Sequence, residues 1–268
     1  MGIDQTERDE LARVAHELAD LARPETLRHF RADVTSENKA GEDGFDPVTV
    51  ADRNAEAAMR ARLAEVRPED GILGEEFGHA EGSSGLTWVL DPIDGTRGYI
   101  SGTPTWGVLI AVSDAGGPLF GIIDQPYIGE RFSGGWQAAS VAGPMGQSPI
   151  RTRRGKRLAE ATILTTFPEI GSAAERAGFH DVAGRARLTR YGMDCYGYAL
   201  LAAGQVDLVI EATLNPYDIH APIAVVEAAG GIVTDWKGGV AHSSSRVIAA
   251  GDPELHAEAL EILSRHDP

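Results

Sequence analysis

The stretch TWVLDPIDGTRGYI at residues 87–100 constrains the fold and the chemistry of this chain more than any other part of it. It begins with the apolar run 88–90, which predicts a buried strand. The proline that follows Asp91 predicts the end of the strand's hydrogen bonding, and Gly95 permits a backbone turn that other residues resist. Asp91 and Asp94 are therefore expected to emerge together at the end of a buried strand.

Two carboxylates held this close repel each other, and a shared proton or a bound cation is the usual remedy. Carboxylates and backbone carbonyls are the hard oxygen ligands that suit Mg²⁺ or Mn²⁺. For an isolated D-P-x-D motif the alternative is a solvated turn in which the aspartates bond to nearby backbone. The hydroxyl of Thr96 and the further acidic motifs described below favour a metal site.

Length and composition restrict the class of protein. The chain has 268 residues, of which 43% are hydrophobic, enough for one large or two medium domains. No apolar run approaches the roughly 18–20 residues of a membrane span, and the polar, acidic start is unlike a secretory signal. A single cysteine, Cys195, excludes an intrachain disulfide framework. We therefore expect a cytoplasmic protein with no membrane partner.

The net charge of −16 argues against a nucleic-acid partner, because such a surface needs a basic stripe. The basic run at 151–157 is interpreted instead as a solvated connector between domains. We place a domain boundary near residue 150, giving an N-terminal half (1–150) and a C-terminal half (151–268). An acidic protein that binds an anionic substrate needs a local source of positive charge, which metal ions would supply.

Further acidic and basic residues have two interpretations each. Asp52 and Asp218 lie where helices are predicted to begin, so each can cap a helix, join the Asp91/Asp94 cluster, or do both. The motif G-E-E at 74–76 offers one glutamate to a metal, while Glu76 either orients that ligand or faces solvent. Lys39 lies in a polar loop, where a surface lysine is favoured over one that reaches a bound phosphate. A lone histidine, His220, is predicted to be structural or exposed to solvent.

Hydrophobic periodicity and turn residues predict an alternation of helices and strands, with a glycine- and proline-rich connector at 138–157. The predicted helices are 6–30 (with a bend possible at Pro24), 53–66, 170–179, 196–203, 216–229 and 253–265. The predicted strands are 88–90, 106–112, 119–124, 131–133, 161–166, 186–191, 206–210, 232–236 and 247–251.

Taken together, four motifs resemble those of the inositol monophosphatase family of metal-dependent phosphatases. They are D-P-V-T-x-A-D at 46–52, G-E-E at 74–76, D-P-I-D-G-T at 91–96, and P-Y-D at 216–218 followed by E-A-A-G-G at 227–231. They occur in the family's order and spacing and extend over nearly the whole chain. The resemblance implies an α/β (α+β) fold, a layered α/β/α/β/α sandwich of two halves with the site between them. It also implies a homodimer.

The resemblance implies a role for each matching residue. Thr96 and Asp52 would orient and help to deprotonate the attacking water, and Lys39 corresponds to a lysine that the family often places before its first motif. Gly95 and Thr96 would donate backbone N–H groups to the phosphate. Two or three Mg²⁺ ions, with Mn²⁺ as a possible substitute, would activate water against a phosphate monoester without a covalent intermediate. The implied metal ligands are Glu75, which also counts among the catalytic groups, Asp91, the carbonyl of Ile93, Asp94 and Asp218.

Two positions outside the metal cluster bear on the substrate. Glu211 corresponds to the family position that meets the alcohol part of the substrate. Asp194 falls on a pocket position where members that act on inositol phosphate tend to have a small residue. Two carboxylates suit a cationic leaving group, and the motif R-Y-G-x-D-C-Y resembles the histidinol-phosphate phosphatase branch of the family. The alternative for Asp194 is a structural pairing with Arg190.

Three functions follow from these observations. The first is hydrolysis of histidinol phosphate in histidine biosynthesis. The second is a broader phosphatase for inositol phosphate or related sugar-alcohol phosphates. The third is a regulatory protein that uses the fold to bind RNA or the transcription machinery, against which the net charge and the complete set of metal carboxylates both argue.

Overall fold

Two β-sheets alternate with three layers of helices in the computed structural model of the chain. The structure describes residues 3–32, 36–38, 47–136 and 138–266, with the backbone alone at 36–38 and 47–49. The helices are α1 (Gln5–His29), α2 (Val50–Val66), α3 (Thr96–Ser101), α4 (Ala173–Ala183), α5 (Cys195–Ala202), α6 (Pro216–Ala228) and α7 (Pro253–Leu263).

The strands form a short hairpin and two larger sheets. The hairpin pairs β1 (Ser36–Asn38) with β2 (Pro47–Thr49). The first large sheet contains β3 (Gly71–Gly74), β4 (Gly78–Ala80), β5 (Thr87–Asp94), β6 (Gly107–Asp114), β7 (Gly117–Gln125), β8 (Glu130–Gly135), β9 (Ala138–Gly143) and β10 (Gly146–Pro149). The second contains β11 (Thr162–Thr165), β12 (Leu188–Tyr191), β13 (Leu208–Ala212), β14 (Ile232–Asp235) and β15 (Arg246–Ala250).

The two large sheets have different topologies. The order in the first is β10-β9-β8-β7-β6-β5-β3-β4, and its pairs are antiparallel except for β3 with β5. The order in the second is β12-β11-β13-β15-β14, in which β11 runs parallel to both of its neighbours. The parallel pairs in both sheets bring strand ends and helix starts to one region, where the acidic motifs lie.

Alternating side chains along the strands divide the core into layers, because successive residues of a strand point to opposite faces. Trp88 and Leu90 of β5 pack with α1 and α2 in one apolar cluster, whereas Val89 belongs to a central cluster that contains α5 and α6. In the second sheet Val209 joins the same central cluster, and Leu208 packs with α4 and α7. The layered α/β/α/β/α sandwich expected from the sequence is thus confirmed.

Two sequence expectations about local structure are wrong near the site. Strand β5 does not end at Pro92 but continues to Asp94, because the missing N–H of the proline falls in an irregularity of the ladder between the pairs Asp91–Leu109 and Asp94–Gly107. Helix α2 begins at Val50, directly after β2, so Asp52 lies inside the first turn and does not cap the helix.

The segment expected to be a connector is largely regular structure. Residues 138–149 form the hairpin of β9 and β10, whose small side chains gave no strand pattern in the sequence. In the basic run that follows, Arg153 pairs with Asp207 at the start of β13, and Arg157 pairs with Glu258 on α7. The domain boundary near residue 150 stays a prediction.

The structure also contains elements that were not predicted from the sequence, namely β1, β2, β3, β4 and α3, and the ends of several predicted elements are shifted. Pro24 lies within a continuous α1 helix, and Glu211, which we expected just after its strand, is inside β13. Within the described residues, no helix combines the length and apolar character that crossing a bilayer requires.

Candidate active site

A cavity of about 330 Å³ opens where the two halves of the chain meet. Its wall is formed by the β3–β4 turn, the end of β5, the start of α3, the end of β11, the entry to α5, the end of β13 and the start of α6. Six of its lining residues are acidic: Glu75, Asp91, Asp94, Asp194, Glu211 and Asp218.

Three of these carboxylates form a compact cluster. One oxygen of each of Asp91, Asp94 and Asp218 lies within 4.8 Å of the others. Burial raises the pKa of Asp91 well above its ordinary value, and the negative charges of Glu75, Asp94 and Asp218 raise it further. The pKa of Asp94 is raised in the same way, first by burial and then by the charge of Asp194.

Backbone N–H groups hold each carboxylate of the cluster in place. The N–H of Ile93 donates to Asp91 Oδ1 at 3.0 Å, and the N–H of Cys195 donates to Asp94 Oδ2 at 2.6 Å. The N–H of Asn215 donates to Asp218 Oδ2 at 2.7 Å in the capping box that opens α6. Asp218 therefore fulfils both sequence interpretations, as a helix-start residue and as part of the cluster.

The cluster fits a divalent cation. Its donors are carboxylate oxygens, and mutual repulsion together with burial makes their ionised forms costly without a cation. Glu75 and Ile93 line the same cavity, and the Thr96 hydroxyl lies 3.4 Å from the Ile93 carbonyl oxygen. This hard-oxygen set suits Mg²⁺ or Mn²⁺ and not a softer metal.

Gly95 marks the entry to α3 and has the left-handed backbone φ of 89°, which favours glycine. Gly95 and Thr96 both line the cavity. Asp52 is 1% exposed on α2, and its charge contributes to the raised pKa of Asp91. The structure therefore brings Asp52 close to the cluster, as one of the two sequence interpretations expected.

Glu211 is held by the end of β11. Its carboxylate accepts hydrogen bonds from Thr165 Oγ1 at 3.1 Å, the Thr166 N–H at 2.7 Å and Thr166 Oγ1 at 2.9 Å. Burial nevertheless raises the pKa of Glu211 to about 7. The group therefore gains or loses its proton near neutrality, and a cationic ligand would favour its ionised form.

Asp194 lies at the entry to α5 with a φ of 47°, an uncommon value for a residue with a side chain. Its Oδ2 lies 3.4 Å from Thr105 Oγ1, and the positive charge of Arg97 lowers its pKa against the larger effect of burial. Neither neighbour is Arg190, the structural partner that the alternative interpretation of the sequence predicts for Asp194.

Arg97 and Phe167 are among the cavity residues that were not predicted from the sequence. The guanidinium of Arg97 lies 4.9 Å from the ring centroid of Phe167, and both side chains line the cavity. Arg97 directly follows the D-P-I-D-G-T motif, so its position pointed to the site. Phe167 follows β11 with no motif around it and gave no comparable signal.

The remaining candidates lie elsewhere. Lys39 is outside the described residues. The Glu76 side chain is 2% exposed and lies 3.5 Å from Arg53, so it does not face solvent. His220 is buried, with Nδ1 2.8 Å from Ser113 Oγ and Nε2 3.0 Å from the His242 carbonyl oxygen. Its structural interpretation is confirmed, and the solvent-exposed one is wrong.

Residues 7–267 match the inositol monophosphatase family, and the chain belongs to that family. It is similar to the chloroplastic bifunctional phosphatase IMPL2 of Arabidopsis thaliana, with 40% identity over 98% of this chain and 78% of that protein. It is also similar to a histidinol-phosphatase of Chlorobaculum parvum, with 35% identity over 84% of this chain and 85% of that protein.

Among solved structures, an inositol monophosphatase from Zymomonas mobilis superimposes with a TM-score of 0.85 and 41% identity, covering 97% of this chain and 100% of that one. The resemblance inferred from the motifs is therefore confirmed. The chain is a phosphatase of a family whose members use divalent metal ions and act on small phosphate monoesters.

Proposed function

We propose that this chain hydrolyses L-histidinol phosphate to L-histidinol and phosphate in a Mg²⁺-dependent reaction. The observation that carries the proposal is the presence of Asp194 and Glu211 in the same cavity as the carboxylate cluster. Histidinol phosphate has an ammonium group and an imidazole ring, and both can donate hydrogen bonds to carboxylates. The likeness to histidinol-phosphatases at 34–35% identity supports the same substrate.

The cluster residues would bind the metal and hold the phosphate end. Mg²⁺, held by Glu75, Asp91, the Ile93 carbonyl, Asp94 and Asp218, would supply the positive charge that lowers the pKa of water and offsets the charge of the phosphate. The backbone N–H groups of Gly95 and Thr96 donate to phosphate oxygens at the start of α3.

Water is the nucleophile in the proposed reaction. Thr96 Oγ1 orients it, and Asp52 accepts a proton through the Thr96 hydroxyl. The water oxygen forms a bond to phosphorus as the bond between phosphorus and the ester oxygen breaks. The leaving alcohol oxygen takes up a proton from solvent water and departs as L-histidinol, and Asp52 returns its proton to solvent.

Asp194 and Glu211 act on the leaving group. A cationic alcohol places positive charge beside both side chains, which lowers the pKa of Glu211 from about 7 and makes its ionised form dominant. A neutral polyol would add no positive charge beside the two carboxylates, and Arg97, whose charge acts on Asp194, would be their only compensation among the described cavity residues. The pair therefore selects cationic alcohols by the cost of burying uncompensated charge.

A second candidate is a phosphatase for inositol phosphate or related sugar-alcohol phosphates. The observation that favours it is the 41% identity to the inositol monophosphatase of Zymomonas mobilis, similar to the value for the Arabidopsis relative that is called bifunctional. The two candidates share the metal cluster and differ in what the leaving-group side of the cavity accepts.

The test compares phosphate release from L-histidinol phosphate and from inositol 1-phosphate with Mg²⁺, on wild type and Asp194→Ala. We expect wild type to prefer histidinol phosphate and the variant to lose that preference, with kcat/KM for this substrate falling about 10- to 100-fold. Asp114→Ala, at the exposed end of β6 outside the cavity, is the matched control and should resemble wild type. Equal rates on both esters in wild type would instead establish the broader phosphatase.

The oligomeric state and location of the chain stay predictions. We propose a homodimer, as the family resemblance implies, and light scattering coupled to size-exclusion chromatography measures it directly. We also propose a cytoplasmic location. Fractionation of cells that express the full chain would test it.

A further inference from the structure

Glu56 lies beneath the turn that carries Glu75. It is on α2, one helical turn after Asp52, and is 0% exposed. Its Oε2 accepts the N–H of Glu76 at 2.7 Å, and its Oε1 accepts the N–H of Phe77 at 3.2 Å. A buried carboxylate thus satisfies the two backbone donors that directly follow Glu75.

Arg60, one further helical turn along α2, completes this arrangement. Its Nε donates to Glu56 Oε1 at 2.7 Å, and another guanidinium nitrogen donates to the carbonyl of Gly78. The guanidinium also lies 5.9 Å from the ring centroid of Phe77. Glu56 and Arg60 lie four residues apart on one face of α2. Together they bind the N–H groups of the β3–β4 turn and the carbonyl at its far end.

The carboxylate of Glu56 also contacts the backbone that precedes Glu75. A β-carbon built on Gly74 would lie 1.9 Å from Glu56 Oε1, so only glycine permits this approach. The N–H of Glu75 itself donates to the carbonyl of Leu90 at 3.2 Å, next to Asp91. Glu56 thus binds the N–H groups that follow Glu75 and lies against Gly74 before it, while the N–H of Glu75 itself is bonded to β5.

We infer that Glu56 is a positioning residue that fixes Glu75 relative to Asp91 and so determines the affinity of the site for a divalent cation. The inference rests on the proposed metal site. Without the carboxylate, the N–H groups of Glu76 and Phe77 lose their acceptor, and Glu75 must be ordered when the metal binds. Partners that hold a metal ligand in place contribute about 10- to 100-fold to metal affinity.

The decisive variant is Glu56→Gln, which keeps the size of the side chain and removes the charge and one acceptor oxygen. Mn²⁺ is the probe, and its free concentration is followed by electron paramagnetic resonance during a titration. We expect the dissociation constant to rise at least 10-fold. The Mg²⁺ concentration that gives half-maximal phosphatase activity should rise in parallel, a change that a loss of stability alone would not produce.

Asp207→Asn is the matched control. Asp207 is 1% exposed and accepts hydrogen bonds from Arg153 and from the N–H of Thr162 at 2.7 Å, so like Glu56 it is a buried carboxylate bound by an arginine and by backbone. It lies at the second sheet, outside the residues that line the cavity. Its substitution should lower the melting temperature and leave Mn²⁺ affinity within about 2-fold of wild type.

Gly74→Ala perturbs the same contact from the side of the turn. The β-carbon displaces the Glu56 carboxylate, so we expect a similar loss of Mn²⁺ affinity, and this variant decides the question if Glu56→Gln does not fold. Wild-type affinity in the folded variants, or an equal loss in Asp207→Asn, would overturn the inference alone. Failure of wild type to bind Mn²⁺ would overturn the proposed function together with it.

Discussion

Asp194 packs against Gly95 so closely that a β-carbon built on Gly95 would lie 2.7 Å from Asp194 Cγ. The two residues are 99 positions apart and come from different halves of the chain. The contact joins the residue proposed to select the leaving group to the backbone proposed to hold the phosphate. The proposed substrate choice and phosphate binding therefore both depend on the contact between Asp194 and Gly95.

Gly95→Ala tests this contact. Alanine is strained at a φ of 89°, and its β-carbon would force the Asp194 side chain away. We expect kcat/KM for histidinol phosphate to fall at least 100-fold, equivalent to about 3 kcal/mol.

The double variant Gly95→Ala/Asp194→Gly, measured beside the single variant Asp194→Gly, separates strain from contact. Because glycine at 194 removes the Cβ, Cγ and Oδ2 atoms that a β-carbon on Gly95 would meet, the two losses should not add, and the coupling measured from kcat/KM should exceed about 0.5 kcal/mol. Additive losses would show that the strained backbone at Gly95 accounts for the whole effect.

Asp91→Asn should stabilise the metal-free protein while abolishing its response to metal. Asp91 is 2% exposed and close to four other carboxylates, so a neutral amide relieves repulsion that no cation offsets. We expect the free energy of unfolding with EDTA to rise by about 1–2 kcal/mol. Thermal melts with EDTA and with MgCl₂ measure both effects, and Asp114→Asn should behave as wild type in each.

Glu211 should make the metal-free protein less stable as the pH rises. Its pKa is about 7 in the folded protein against an ordinary 4.5, so the folded state binds more protons than the unfolded state between these values. The stabilisation that comes from proton binding at Glu211 is fully present below pH 4.5 and is lost as the pH rises through 7. Over this range the contribution of Glu211 to the free energy of unfolding falls by at most about 3 kcal/mol. Urea unfolding in EDTA at pH 5 and pH 8 should show a smaller decline for Glu211→Gln than for wild type.

His220 should have the opposite effect. Burial among Ser113 and His242 lowers its pKa from 6.5 to about 4, so the folded state binds fewer protons than the unfolded state in this window. Its stabilisation is present above pH 6.5 and is lost as the pH falls through 4. His220→Gln should therefore be less sensitive than wild type to acidification from pH 7 to pH 4. A curve parallel to that of wild type would contradict the buried neutral state of His220.

Much of the fold and the cluster could be predicted because each acidic motif has a local signature. Asp91 and Asp94 follow an apolar strand, and Asp218 follows the asparagine and proline that open a helix. Such local signals identify candidate ligands. The family resemblance then assembled them into one site.

Other features depend on tertiary contacts and left no local pattern. Glu56 and Arg60 are four residues apart, a spacing that in a sequence indicates a solvated ion pair on a helix surface. In the structure the pair instead binds the turn at 74–78, through the N–H groups of Glu76 and Phe77 and the carbonyl of Gly78. Pro92 likewise violates the usual rule for strand interiors, and it is tolerated because the ladder is interrupted at that residue.

The burial of Cys195 has a practical consequence. Its thiol is 2% exposed, and burial raises its pKa well above the ordinary value, so both access and ionisation oppose reaction with maleimides. Because the chain contains one cysteine, a second one placed at an exposed residue such as Ser83 would be the reactive thiol of the folded molecule. Fluorophores or spin labels can thus be attached after a single substitution. In the unmodified chain, the slow rate at which Cys195 is labelled measures the rate of unfolding.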